Sequence, residues 1–354
     1  MLISFLEHSL NFTINPINRY IIVALIAGIF TIIYVINVNS MLIKLLNRKK
    51  CFQPIRQDGP ISHLKQKANV TNLGGITIIS SILIGLLLFT DVLNIYVLII
   101  ILSLLLFGLI GFFDDVEKIR HSKGISAKKK ILLQLSFSII ICSIHYFFLS
   151  QDELCYQVPF LSRKVKIYKE LYYFFFVFII CGSSNAFNLT DGLDGLASNI
   201  FIVVSFTFAV ICLIIMNGHF FSECNLNKYK NLFIVSIILF STFIGFLWHN
   251  SNKAEIFMGD ASSLSVGAVI ALMFILINQE LSFAIVSLFP IIEVLSVAIQ
   301  VVFFKFTRKK FFRMSPIHHH FELGGISEEK IVTRIKIFSV FFSILTLLSV
   351  LIKF

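Results

Sequence analysis

Apolar residues in this chain gather in long runs separated by short polar stretches. Ten such runs stand out, near residues 20–45, 72–91, 95–113, 131–149, 171–187, 199–217, 231–249, 263–278, 282–304 and 333–352. About 20 apolar residues in a helix cross the hydrocarbon core of a bilayer. The runs therefore predict ten membrane-spanning helices joined by short loops. Met1 to Tyr20 has neither a basic segment nor a small-residue cleavage site, so the first run is expected to remain as a span rather than be removed. No repeat, low-complexity linker or soluble-domain-length segment interrupts the plan, and residues 1–354 read as one integral-membrane domain.

Composition points the same way. The chain is 57% hydrophobic and 14% charged, against about 45–50% and about 25% in soluble chains. A water-soluble globule cannot hide that much apolar surface, so collagen, disordered, disulfide-rich and soluble-enzyme classes are excluded. The expected fold class is an all-α polytopic membrane protein of about ten transmembrane helices. The six cysteines show no CxxC and no paired spacing, which indicates neither a disulfide framework nor a zinc site. Cys155 and Cys224 are the two outside apolar runs on the less basic side, where a bond between them is the minor reading.

Charge adds orientation. The net charge of +11 would raise nucleic acid as a partner in a soluble protein, but basic residues of a membrane protein report topology first. Segments 44–70, 114–130, 188–198, 250–262 and 305–336 share one side and hold 22 of the 30 Lys and Arg. The other side holds 8, half of them in Arg163, Lys164, Lys166 and Lys169. The positive-inside rule makes the first side cytoplasmic and both termini external.

Acidic residues cluster on that same side, at Asp114, Asp115, Asp191, Asp194 and Asp260, while Glu293 is the only acid expected deep in a span. A transporter usually keeps its ionisable groups near the bilayer midplane. Here the polar groups face the membrane surface, which suits chemistry between a soluble reactant and a lipid headgroup.

Four constellations carry that chemistry. Asp114-Asp115 closes the third run, with Lys118 three and four residues on and then Arg120, Lys123, Lys128, Lys129 and Lys130. Adjacent carboxylates either share a proton or bind a divalent cation. With a basic row beside them they read as a magnesium-phosphate site, although a solvated juxtamembrane loop would explain the lysines alone. Next, Asn185-Ala186-Phe187-Asn188-Leu189-Thr190-Asp191-Gly192-Leu193-Asp194-Gly195-Leu196-Ala197 places Asp191 and Asp194 on one face if the segment is helical. Its plainer reading is a capped Asp-Gly turn. In Phe257-Met258-Gly259-Asp260-Ala261-Ser262-Ser263 the acid, taken alone, is explained as well by helix capping. The last spans residues 305–325 and holds five basic residues, Met314-Ser315-Pro316 and His318-His319-His320-Phe321-Glu322. Consecutive residues cannot all aim at one metal from a regular element, so the histidines fit phosphate and base recognition better than zinc.

Together and in this order, the four constellations resemble the polyprenyl-phosphate N-acetylhexosamine-1-phosphate transferases, across residues 48 to 336. The ten-residue string at 188–197 is the most specific part, and the string at 318–322 after Met314-Ser315-Pro316 is similar to the branch that handles phospho-N-acetylmuramoyl-pentapeptide. The resemblance implies transfer of that group, on the cytoplasmic face of the bacterial inner membrane, from UDP-MurNAc-pentapeptide to undecaprenyl phosphate. The products would be lipid I and UMP, with Mg²⁺ required. It implies that Asp260 is the principal magnesium ligand and that Asp114 and Asp115 handle the lipid phosphate, one of them as a base. Lys118 and Lys130 would meet phosphates, and Lys67 would join them in binding substrate. Asn185, Asp191, Asp194 and Asn250 would line the nucleotide region, and His318, His319 and His320 would contact the diphosphate or support the acid site. The implied partners are the two substrates and membrane lipid, without nucleic acid; a homodimer stays open.

The chain departs from the family pattern in three places. It has Thr71-Asn72-Leu73 in place of Pro-Thr-Met before Gly74-Gly75, Lys253 in place of a proline, and Ser262 in place of a glycine. A glycine-to-serine change is mild in a helix and costly where φ is positive. The acid set is intact, which implies an active enzyme. The rival readings are a sibling transferase using UDP-GlcNAc, a secondary transporter or flippase, and, least supported, a structural scaffold.

Overall fold

A computed structural model of the chain describes residues 16–49, 70–121, 123–148, 155–161, 164–217 and 223–352. Lys67 and the side chains of Cys155 and Cys224 lie outside what is described. Twelve helices account for most of these residues: α1 (Pro16–Arg48), α2 (Gly75–Phe89), α3 (Ile95–His121), α4 (Ala127–Phe148), α5 (Lys169–Thr190), α6 (Leu196–Asn217), α7 (Glu223–Asn250), α8 (Gly259–Leu276), α9 (Glu280–Val286), α10 (Leu288–Thr307), α11 (Ile317–Glu322) and α12 (Glu328–Leu351). The strands are short, β1 (Cys155–Gln157) paired antiparallel with β2 (Lys164–Lys166). Of the basic cluster that runs against the charge asymmetry, Lys164 and Lys166 lie in β2 and Lys169 opens α5, while Arg163 lies outside the described residues.

Nine of the helices among the described residues are long and apolar enough to cross a membrane. The tenth expected span, 72–91, is α2, which has only 15 residues. At 1.5 Å per residue α2 is roughly 22 Å long. It is short because the chain before it is spent on pairing. Thr71 forms a parallel bridge with Ile256, and the Gly74 N–H donates to the Phe257 carbonyl at 2.9 Å. At its other end the Asp91 N–H donates to Asn231 Oδ1 at 3.0 Å. Asn231 stands about two turns into α7, which ends at Asn250, so α2 runs alongside the last two thirds of that helix.

The bundle is organised around α8. Every residue from Ala261 to Leu276 is buried, so this helix has no face left for lipid. Small residues explain its position, because they let backbones approach and let hydroxyls bond across helices. Ser183 and Ser184 of α5 donate to the Gly267 and Leu264 carbonyls of α8 at 2.7 and 3.0 Å. On the opposite flank α3 comes closer still, at Gly111. A Cβ built there would lie 2.1 Å from the Asp260 carbonyl oxygen and 2.4 Å from the Ala261 nitrogen, both backbone atoms.

At the far end of α8 the chain turns through α9. Glu280 is buried there, with Oε1 accepting from the Tyr172 hydroxyl at 3.1 Å and Oε2 without a hydrogen-bond partner among the described residues. Burial pushes its carboxyl up to about 8, from an ordinary 4.5.

Two outcomes follow. Gly111→Ala is expected to lower stability by about 1–3 kcal/mol through overpacking against backbone that cannot yield, read as a lower thermal midpoint in detergent. Gly182→Ala, with nothing near its Cβ position, is the matched control and should not lose stability. A raised carboxyl pKa means the native state holds a proton that the unfolded state releases. The stability tied to Glu280 is therefore complete below pH 4.5 and is lost as pH rises toward 8, at up to about 1.4 kcal/mol per pH unit. Glu280→Gln keeps the acceptor for Tyr172, and its midpoint should gain on that of the unaltered chain between pH 5 and 8; a constant gap would refute this.

Candidate active site

Asp114 and Asp115 lie within α3, which runs past the predicted boundary at 113 to His121. Both are buried although they follow directly on the apolar stretch of the helix. Buried carboxylates need donors, and each finds a different set. Asp115 Oδ1 accepts from the Asp260 N–H and Oδ2 from the Ala261 N–H, both at 3.0 Å. It thus caps the N-terminus of α8 from a neighbouring helix, where orphan N–H groups and the helix dipole favour an anion. Asp114 Oδ1 accepts from the Ile125 N–H at 2.7 Å, tying the loop after α3 back to the helix.

Asp260 stands in the first turn of α8. Gly259 just before it has φ +70°, and a Cβ there would meet Asp115 Oδ2 at 2.5 Å and Asn72 Oδ1 at 2.8 Å. Backbone conformation and space both require glycine at that position. Two lysines bind the acids together. Lys118 Nζ lies 2.7 Å from Asp114 Oδ2 and 2.8 Å from Asp260 Oδ1, so the reach along one helical face read from the sequence is used. Lys130, from the first turn of α4, pairs with Asp260 Oδ2 and lies 3.7 Å from Asp114 Oδ2.

One carboxylate oxygen from each of Asp114, Asp115 and Asp260 falls within 4.8 Å of the others. Three hard oxygen donors beside cationic side chains fit a divalent ion that also contacts phosphate. Three carboxyl groups meet only two ammonium groups here, an excess of acid that suits a cation.

The remaining candidates surround this cluster at different distances. Asn185 donates to Gln134 Oε1 at 2.7 Å, and Gln134 is one turn beyond Lys130 on α4. Asn188 donates to Ser263 Oγ at 2.9 Å, in the first turn of α8. Asp191 and Asp194 do not share a helical face: α5 ends at Thr190, and residues 191–195 form turns before α6. The Asp194 N–H donates to Glu328 at 2.7 Å, and Asp194 Oδ2 accepts from the Ala254 N–H at 3.0 Å. This clamps the turn to the loop before α8 and to the start of α12. Asn250 is buried, accepting from Ser198 at 2.7 Å and donating to the Ile256 carbonyl at 2.9 Å; it holds the loop that delivers Asp260.

The three histidines diverge, as adjacent residues must. His318 Nδ1 lies 2.9 Å from Glu293, His319 Nδ1 lies 3.0 Å from Glu322, and His320 Nδ1 accepts from the Arg313 N–H at 3.1 Å. Glu293, legible only as a lone acid in a span, is fully buried behind His318. Gln134 and Glu328 carried no sequence signal; they are ordinary residues placed beside the motifs by helix packing. Ser263 lies inside the motif at 257–263 but had no role read from its residue type.

The departures resolve locally. Ser262 is helical and buried, donating to the Met258 carbonyl at 3.1 Å, so the mild alternative holds. Lys253 has φ +61°, which a proline locked near −65° could not adopt. The loop before α8 therefore follows a path at this point that excludes proline.

Residues 97–278 match the family model described as glycosyl transferase family 4. The chain is 38% identical over 341 residues to the phospho-N-acetylmuramoyl-pentapeptide-transferase of Francisella tularensis subsp. novicida (strain U112), covering 91% of this chain and 93% of that protein. It is 39% identical over 321 residues to the protein of the same name from Rickettsia bellii (strain RML369-C), covering 88% of each.

The geometry makes Asp115 a structural acid as well as a candidate catalytic one. Asp115→Asn keeps the shape but turns an NH₂ group toward one of two backbone N–H donors. The expected cost is about 1–3 kcal/mol, measured by denaturant or thermal unfolding in detergent. An unchanged unfolding midpoint would remove the capping role.

Proposed function

The chain belongs to glycosyl transferase family 4, among the phospho-N-acetylmuramoyl-pentapeptide-transferases, and on that footing we propose that it transfers phospho-MurNAc-pentapeptide from its UDP carrier to undecaprenyl phosphate. The products are lipid I and UMP, in the first membrane step of peptidoglycan synthesis. The observation that carries the chemistry is the convergence of Asp114, Asp115, Asp260, Lys118 and Lys130 at one end of the bundle.

In this reaction an oxygen of the lipid phosphate bonds to the sugar-side phosphorus of the diphosphate, and the bond to UMP breaks. Two anions must meet, so catalysis is mainly positioning and charge neutralisation. Mg²⁺ held by Asp260 with the paired aspartates would offset the charge on the phosphate oxygens. The residues divide the remaining work. Asp115 spends both oxygens on the α8 backbone and keeps Asp260 in place. Asp114 has Oδ2 on Lys118, a side-chain partner that substrate phosphate can draw away. It is therefore the acid available to the incoming lipid phosphate, and direct attack needs no covalent enzyme intermediate. Lys118 and Lys130 reach the same oxygens that a diphosphate would approach. Asn185, Asn188 and the turn at 191–195 border the nucleotide-sugar side, with His318 against that turn; His319 and His320 are assigned to the substrate by the family pattern. Lys67 is assigned to substrate by the family pattern alone.

The site belongs on the cytoplasmic face of a bacterial inner membrane, where the nucleotide donor is. The 22-to-8 division of basic residues supports this. Nine crossings would put the termini on opposite sides; counting α2 as a short tenth crossing puts both outside.

The deciding experiment is UMP release by purified protein in detergent with undecaprenyl phosphate. UDP-MurNAc-pentapeptide and UDP-GlcNAc are offered separately, with Mg²⁺ and with EDTA. Release is expected with the first donor only and should stop on chelation. Asp260→Ala should lower it by about 10²–10³-fold, the scale of losing a principal charge-stabilising group. Release from UDP-GlcNAc alone would transfer the assignment to the sibling activity. Undiminished release by Asp260→Ala would remove the metal role.

A further inference from the structure

Glu293 is fully buried within α10, which is long and apolar enough to span a membrane. A carboxylate in such a place costs several kcal/mol unless donors surround it. It has two. Oε2 accepts from the Ile317 N–H at 2.9 Å, and Oε1 lies 2.9 Å from His318 Nδ1. The first donor is a backbone group and cannot change. The second is an imidazole, whose proton can sit on either nitrogen. Facing a carboxylate oxygen, Nδ1 carries the proton, and in the neutral ring Nε2 is then an acceptor.

That acceptor is held in an unusual place. His318 is 1% exposed, and Nε2 has no hydrogen-bond partner among the described residues. It lies against Gly192, where an added Cβ would come within 2.3 Å of Nε2. The ring thus occupies space that only a residue without a side chain leaves open, on the turn between α5 and α6. Through Asn188 and Ser263 this turn is continuous with the first turn of α8 and Asp260. An unsatisfied buried acceptor is destabilising, and such a cost is tolerated most readily at a site that receives a ligand.

We propose that Glu293 is a positioning residue that fixes His318 as its Nδ1–H tautomer. In this form Nε2 accepts a hydrogen bond from an N–H or O–H donor of the nucleotide sugar at the turn formed by Asp191 and Gly192. The inference rests on the transferase reading above and narrows it. A lone pair on Nε2 repels phosphate oxygens, so His318 reads a donor on the base or a sugar rather than the diphosphate.

Glu293→Gln separates this role from simple packing. An amide has one acceptor face, so its NH₂ group must point at either the Ile317 N–H or His318 Nδ1. The backbone cannot respond, whereas the imidazole can move its proton to Nε2. Nearly the same geometry then carries the opposite tautomer, a donor where an acceptor stood. Histidine-selective ¹⁵N NMR of the full chain in detergent, with His318→Gln for assignment, reads the outcome directly. In the unaltered protein Nδ1 should be pyrrole-type and Nε2 pyridine-type, and Glu293→Gln should exchange them. In the UMP-release assay the same variant should raise KM for UDP-MurNAc-pentapeptide about 10-fold or more while changing kcat less. Glu293→Asp retains the carboxylate and should recover most of that loss, with thermal midpoints recorded for all three proteins.

A doubly protonated His318 in the unaltered protein would overturn the proposal. So would an unchanged KM in Glu293→Gln, or equal losses in the Gln and Asp variants that follow their thermal midpoints. The tautomer measurement needs no turnover. If the unaltered chain released UMP from neither donor, the transferase reading would fail while the tautomer assignment was still judged separately.

Discussion

The close approach of α3 to α8 at Gly111 is the constraint on which the site depends. It brings the Asp115 carboxylate against the first backbone N–H groups of α8. A buried helix N-terminus needs an anion, and a buried carboxylate needs donors; each meets the other's requirement. Once that contact forms, Asp260 is held through its own capped N–H, and Lys118 reaches both Asp114 and Asp260 from α3. The acid cluster is therefore a product of helix packing as much as of residue type.

A second pattern concerns how loops are held in a protein with little polar interior to spare. Residues that looked like ligand-binding groups in the sequence also serve as brackets. Asp194 ties the loop before α8 to α12, and Asn250 ties the end of α7 to Ile256. The Thr71 pairing with Ile256 and Phe257 adds a short stretch of sheet-like bonding. Each bracket satisfies backbone groups that would otherwise be exposed at the end of an apolar bundle. Rigid loops in turn keep the aspartates and lysines within the few ångströms that metal and phosphate chemistry require.

Several features are legible in the order of residues alone. Run length makes α3 to α8 membrane-scale helices, because apolar length is a local property and the bilayer sets its scale. The reach from Asp114 to Lys118 follows from helical spacing. Where local pattern falls short, the reason is equally physical. The shortness of α2 comes from pairing with residues about 180 positions away, which no window of sequence contains. The segment at 191–195 leaves its helix because the chain has to turn there, and its acids then find separate partners.

The sequence by itself determined the class of environment, the inventory of acids and bases, and the family pattern that names their reaction. Those depend on composition and on spacings of ten residues or fewer. Only the tertiary structure decided which acid caps a helix and which can meet a substrate. It also decided that the lone acid of α10 stands behind His318, and that Ser262 sits in a helix while Lys253 sits where proline cannot. These outcomes join residues 25 to about 150 positions apart. Such contacts depend on how closely helices approach, which is set by glycines and serines that carry no chemistry of their own.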